Sequence, residues 1–232
     1  MKARSRKATL SADPVMASLV QAAGRYALRT EDERTPFESL ARAIAHQQLN
    51  GAVAQRILQR LCALYPAGAF PTPSALQATT PEQLRAVGFS FAKVRALYDL
   101  AEKTSAGIVP TGPVLHALDD ETIVERLTAV RGIGRWTVEM LLMFQLGRPD
   151  VWPVDDFGVR NGFRLAYGIR QMPTPRALRE FGERWRPHRS AAAWYLWRAV
   201  DLHRTGKLPP PRRPAPRIAQ QKPLKLRRKS TP

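Results

Sequence analysis

Apolar residues recur along this chain at intervals of three and four rather than in alternation. Phe37, Leu40, Ala41 and Ile44 form one stripe, Val53, Ile57, Leu58 and Leu61 a second, and Val94, Leu97, Tyr98 and Ala101 a third. That spacing puts each set on one face of a helix. Start signals precede the stripes. Thr35-Pro36-Phe37-Glu38 combines a capping hydroxyl, a proline in the first turn and a glutamate that completes a capping box, and Thr80-Pro81-Glu82-Gln83 repeats the device. Ser11 with Asp13 and Pro14 opens a helix expected to run through about Leu28. Asn50, Ser90, Asp119 or Asp120, Asp155 or Asp156, Thr174 and Ser190 are further cap candidates. Strand alternation is nearly absent, so the pattern predicts an all-α fold of about ten helices joined by short Pro/Gly loops.

Charge changes the picture. Lys and Arg number 37 against 19 acids in 232 residues, a formal charge of +18. So basic a protein is expected to meet a polyanion. The excess sits at the ends: residues 1–12 carry four cations and no acid, and residues 206–232 carry nine and no acid. From Gly206 onward the chain is Pro-rich, basic and short of apolar residues, which predicts a disordered tail attracted nonspecifically to DNA. The single cysteine, Cys62, excludes an intramolecular disulfide and an all-cysteine iron–sulfur cluster. Four scattered histidines show no metal-ligand spacing. No run is apolar enough to span a bilayer, and no signal-type apolar region follows the basic N-terminus. A cytoplasmic, nucleoid-associated protein without a membrane partner is expected.

The most informative stretch is Leu127-Thr128-Ala129-Val130-Arg131-Gly132-Ile133-Gly134-Arg135-Trp136-Thr137. One helix ends near Val130, and two glycines one residue apart permit a tight reversal. A second helix starts at once and runs through Met140, Leu141 and Phe144. The first backbone N–H groups of that helix lack intrahelical partners and point outward, with the helix dipole behind them, which suits a phosphate. Thr137 adds a hydroxyl donor. A bare Gly-x-Gly is also an ordinary αα-turn; the flanking apolar helices and the basic chain favour anion binding.

About twenty residues on stands Asp150-Val151-Trp152-Pro153-Val154-Asp155-Asp156-Phe157. Three further blocks are Ile44-Ala45-His46-Gln47-Gln48-Leu49-Asn50, Gly88-Phe89-Ser90-Phe91-Ala92-Lys93, and Pro187-His188-Arg189-Ser190 with Tyr195-Leu196-Trp197-Arg198. Together these resemble the helix-hairpin-helix DNA glycosylases, and within them the 3-methyladenine DNA glycosylase II branch, from roughly Thr35 to Arg204. Phe89 stands where the branch has Leu, and Met140 where it has a pocket Tyr.

The resemblance implies two helical lobes with an active-site cleft between them. Residues 11–36 with 148–205 would form the lobe carrying the acid and residues 37–147 the lobe with the hairpin, flanked by basic tails at 1–10 and 206–232. It implies a monofunctional enzyme that hydrolyses the N-glycosidic bond of alkylated purines in duplex DNA and acts as a monomer. In the family's register Asp156 is the catalytic acid, and Asp155 is left to capping or support. Trp136 replaces the lysine that bifunctional relatives use to form an imine, so no lyase activity is expected. Trp136 and Trp197, with Tyr195, would line the base pocket, by stacking and cation–π attraction for a positively charged base. Gln47, Gln48 and Leu49 lie at the family's wedge position, with Gln48 or Leu49 filling the vacated stack. Gly132, Gly134, Arg135 and Thr137 would hold the strand, and Lys93 and Arg189 would reach phosphates. The backbone carbonyls of Thr128, Val130 and Ile133 match a family site for Na+ or K+; no other cofactor is implied. A noncatalytic DNA-binding protein and a glycosylase for oxidised or mismatched bases remain open.

Overall fold

The computed structural model describes residues 5–30, 34–211 and 217–220. In chain order its α-helices are α1 (Arg6–Ser11), α2 (Pro14–Ala23), α3 (Pro36–His46), α4 (Gly51–Cys62), α5 (Pro73–Ala78), α6 (Pro81–Ala86) and α7 (Phe91–Ser105). There follow α8 (Gly112–Ala117), α9 (Asp120–Thr128), α10 (Arg135–Phe144), α11 (Phe157–Tyr167), α12 (Pro175–Gly182) and α13 (Arg189–Arg204). Among the described residues there is no sheet, only an isolated antiparallel bridge between Pro173 and Gln220. No described helix is long and apolar enough to cross a membrane.

Local chemistry sets the helix starts. Thr35, Asn50, Thr72, Ser90, Asp119 and Thr174 each accept a backbone N–H of the first turn that follows. Thr80 and Gln83 form a reciprocal capping box. Ser190 is no cap: it lies inside α13, and its hydroxyl donates to the Arg148 carbonyl at 2.6 Å. The expected helix from Ser11 to Leu28 starts later and ends sooner. Asp13 caps α2 through the Val15 and Met16 N–H groups, and Gly24, at φ 77°, stops it. The short helices α5, α6 and α8 are too brief to show a period in sequence, which is why more helices form than the stripes predict.

Contacts divide the chain into two compact units, split near Arg29 and at Gly147–Arg148. The lobe boundary expected at 36/37 therefore lies earlier, before the cap of α3. In the unit Thr30–Gly147, α7 packs against α3, α5 and α6, while α10 packs against α9 and α3. Leu40, Ile44, Leu58, Leu97, Leu127 and Leu142 are buried there. Full burial of each such side chain contributes about 1.5–3 kcal/mol.

The other unit joins both ends of the chain. Its centre is the crossing of α11 over α13, with α2 against both. A Cβ on Gly162 would overlap the Leu196 carbonyl, so glycine is what lets these two backbones approach. Phe163 stacks on Tyr167 at 4.1 Å, and Phe181 meets both edge-on. Tyr167 donates its hydroxyl to Asp13 at 2.7 Å.

Both expected tails differ in part from the sequence reading. Residues 6–10, assigned to a basic tail, belong to α1, because Ser5 caps it and Leu10 is buried. Of the tail expected to be disordered from 206, residues 212–216 and 221–232 lie outside the described residues. Where the segment is described it touches the unit: the Thr174 N–H donates to the Ala219 carbonyl at 2.9 Å, and Pro211 lies against Gly168.

Candidate active site

In the unit formed by the chain ends, Asp156 is the N-cap of α11 and is 9% exposed. Its Oδ1 accepts the Val159 N–H at 2.7 Å and the Trp197 indole N–H at 2.8 Å. Capping thus falls to Asp156, not to its neighbour Asp155, which is exposed. The cap and the candidate acid are one side chain. Gly158 leaves the space that the Trp197 ring occupies. A Cβ there would come 2.7 Å from Trp197 Cδ1 and 3.1 Å from Asp156 Oδ1. The sequence reading did not single out Gly158, a position where any side chain would displace Trp197. Phe157 stands out for its exposure. It follows Asp156 directly yet is 67% exposed, outside the buried register of Val159, Phe163, Ala166 and Tyr167.

Tyr195 is placed elsewhere. It is 4% exposed, packs against Tyr26 and Trp194, and donates its hydroxyl to the Gly24 carbonyl at 3.0 Å. Residues two apart on a helix leave it about 200° apart. Tyr195 and Trp197 therefore cannot share one face of α13, which corrects their joint assignment to a base pocket.

Arg189 is also structural. It donates to both carboxylate oxygens of Asp150 (2.8 and 2.9 Å), to the Asp150 carbonyl and to Glu183. With its side chain only 12% exposed, it ties the start of α13 to the 148–151 segment rather than reaching outward.

In the unit Thr30–Gly147, the hairpin runs from the end of α9 to the start of α10. Gly132 has φ 79°, so its backbone requires glycine, while Gly134 has open space and ordinary φ. No side chain caps α10, which leaves its first N–H groups for an outside acceptor. The Gln47 amide donates to the Gly132 carbonyl at 2.8 Å, and the Arg131 N–H donates to Asp99 at 2.7 Å. Burial alone would raise the Asp99 carboxyl, but this N–H and the Lys103 ammonium hold it below the usual range. Lys93 donates to the Ala45 and Gln47 carbonyls at 2.7 and 2.8 Å. It fastens the turn between α3 and α4 instead of meeting a phosphate, and burial lowers its pKa. Arg135 likewise is engaged, with Glu121 and Glu139.

Gln48, on that turn, has φ 58°, a left-handed conformation uncommon outside glycine. Gln48 and Leu49 are both exposed. A cavity of about 770 Å³ gathers Gln47, Gln48, Gly132, Trp136, Thr137 and Met140. Trp136 offers it an indole that is 47% exposed, and Thr137 is mostly buried in its wall.

The two helices α9 and α10, their glycine reversal and the uncapped start of α10 define a helix-hairpin-helix protein. The chain belongs to the HhH-GPD superfamily of base excision DNA repair proteins, whose sequence model matches residues 41–187. It is 42% identical over 185 residues to DNA-3-methyladenine glycosylase 1 of Schizosaccharomyces pombe, covering 79% of this chain and 81% of that protein. The solved structure of a 3-methyladenine DNA glycosylase of the same yeast, in complex with abasic DNA, superimposes with TM-score 0.78 at 40% identity, covering 86% of this chain and 98% of that one. A DNA-3-methyladenine glycosidase from Bacillus halodurans gives TM-score 0.78 at 31% identity, covering 88% and 92%.

Proposed function

We infer that this protein is a monofunctional DNA glycosylase that hydrolyses the N-glycosidic bond of alkylated purines, of the 3-methyladenine and 7-methylguanine type, in duplex DNA. The observation that carries this reading is Asp156 held by two N–H donors on a single oxygen. Cleaving the N-glycosidic bond develops positive charge on the deoxyribose. A carboxylate beside it stabilises that charge far more than the neutral ground state, which lowers the barrier. At about 4 Å and an effective dielectric near 20 the attraction is about 4 kcal/mol, roughly a thousandfold in rate. Asp156 also orients the water that attacks the sugar. Trp136 has no amine for an imine, so water is the nucleophile.

The remaining roles follow the same reading. The uncapped N–H groups at the start of α10 take a DNA phosphate. Gln48 or Leu49 fills the stack left by the everted base, and Trp136 with Met140 offers it a stacking face. In the hairpin the carbonyls of Thr128, Val130 and Ile133 would hold Na+ or K+. The Thr128 hydroxyl is turned back to Val124 at 2.7 Å, which leaves only backbone oxygens, a donor set suited to an alkali cation. Such an ion supplies positive charge near the bound phosphate. The protein works as a monomer in the cytoplasm on alkylated duplex DNA.

The test is release of free base from methylated DNA. Wild type should liberate 3-methyladenine without a borohydride-trappable adduct. DNA binding with no released base would instead support a noncatalytic binder.

A further inference from the structure

Because Tyr195 leaves α13 on the side away from Trp197, it faces a different cavity from anything near Asp156. Here α1, α2 and the Arg25–Tyr26 segment enclose about 820 Å³. Leu10, Tyr26 and Tyr195 give the cavity an apolar and aromatic lining. Arg6, Lys7 and Arg25 also line it, and among the described residues no acidic one does. None of these three cations pairs with a carboxylate among the described residues. The Arg6 guanidinium lies 4.3 Å over the Tyr26 ring, and Trp194 meets that ring edge-on at 5.4 Å, so the aromatic wall is braced.

Three like charges around one concavity repel one another and strengthen the local field for an anion. The volume falls in the range of small-molecule sites and far exceeds a bare ion. Several cations beside an aromatic wall suit a ligand with multiple anionic oxygens and an attached planar ring. We propose that this cavity is a second, noncatalytic site that holds a phosphate ester, its oxygens on Arg6, Lys7 and Arg25 and its base against Tyr26. The ester is either a free nucleotide or a nucleotide of a DNA strand.

The experiment uses the full chain with the catalytic site saturated by a short abasic duplex. Calorimetry with deoxyadenosine monophosphate should show one further site per chain, weaker for inorganic phosphate. The Arg6→Ala/Arg25→Ala variant should lose about tenfold in that affinity. Should a DNA strand be the natural source, the same variant also weakens binding of a long abasic duplex but not of a short one. Its salt slope then falls by about one for each phosphate it no longer neutralises. Unchanged base release from a short methylated duplex shows that the variant is folded. Two results overturn the proposal. One is nucleotide binding that the abasic duplex displaces, which assigns it to the catalytic site. The other is a variant with unaltered affinity for nucleotide, phosphate and long duplex alike.

Discussion

The Trp197 indole donates to the same oxygen of Asp156 that the Val159 backbone N–H reaches, at 2.8 and 2.7 Å. One donor comes from α13 and one from the first turn of α11, so the carboxylate is fixed by tertiary and local structure at once. Trp197→Phe leaves an aromatic ring of smaller size and removes the donor. A hydrogen bond to a charged group contributes about 1.5–3 kcal/mol, so single-turnover base release should fall about ten- to hundredfold while affinity for abasic DNA stays within about twofold. Weakened DNA affinity with normal turnover would assign Trp197 to binding instead.

Asp156→Asn separates cap from charge. Asparagine caps a helix about as well as aspartate, so α11 should persist and the unfolding midpoint should barely move. Base release should drop by about a thousandfold or more, since the amide cannot meet the positive sugar. Turnover near wild type would reject Asp156 as the acid.

Lys93→Met tests whether that ammonium is an anchor or binds DNA directly. Its two carbonyl acceptors sit at the turn bearing Gln48. The variant should bind DNA more weakly and melt earlier, yet keep the salt slope of wild type. A slope reduced by about one would mean that Lys93 neutralises a phosphate.

Gly162→Ala should destabilise by about 3 kcal/mol or more, because the new methyl meets a carbonyl on a neighbouring backbone that cannot yield. Gly51→Ala, where a Cβ meets open space, should be neutral or stabilise by about 0.4–1 kcal/mol. Urea unfolding of both variants measures the contrast.

Alkaline stability should hinge on Tyr167. Burial, then the nearby Asp13 carboxylate and its hydrogen bond, push its hydroxyl well above 10.0. The unfolded chain ionises first, so this contribution is complete below pH 10 and is lost as pH rises above it. Tyr26, Tyr98 and Tyr195 are raised too and act in the same direction. Tyr167→Phe should flatten the decline in unfolding free energy above pH 10; an unchanged decline would show that Tyr167 does not control it.

Much of this was legible in the sequence because it is local. A capping side-chain oxygen and the residue whose N–H it accepts are three positions apart, as with Thr35 and Glu38 or Asn50 and Val53. Gly132 shows its need through its own backbone. Asp156 was singled out only through the family resemblance, in the register of the block that follows the hairpin. What was not legible depends on partners far along the chain. Lys93 and Arg189 read as free cations until Ala45, Gln47 and Asp150 are found beside them, 39 to 48 residues away. Trp197 and Asp156 are 41 residues apart, and no pattern in either segment announces that the indole needs that oxygen.

The unit that carries Asp156 is sewn from both ends of the chain, while Thr30–Gly147 is continuous. During synthesis the hairpin unit has all its packing partners once Gly147 has left the ribosome. Helix α2, though made before that unit, has only α1 packed against it until α11 and α13 arrive. The order of translation therefore assembles the hairpin's half ahead of the half that bears Asp156.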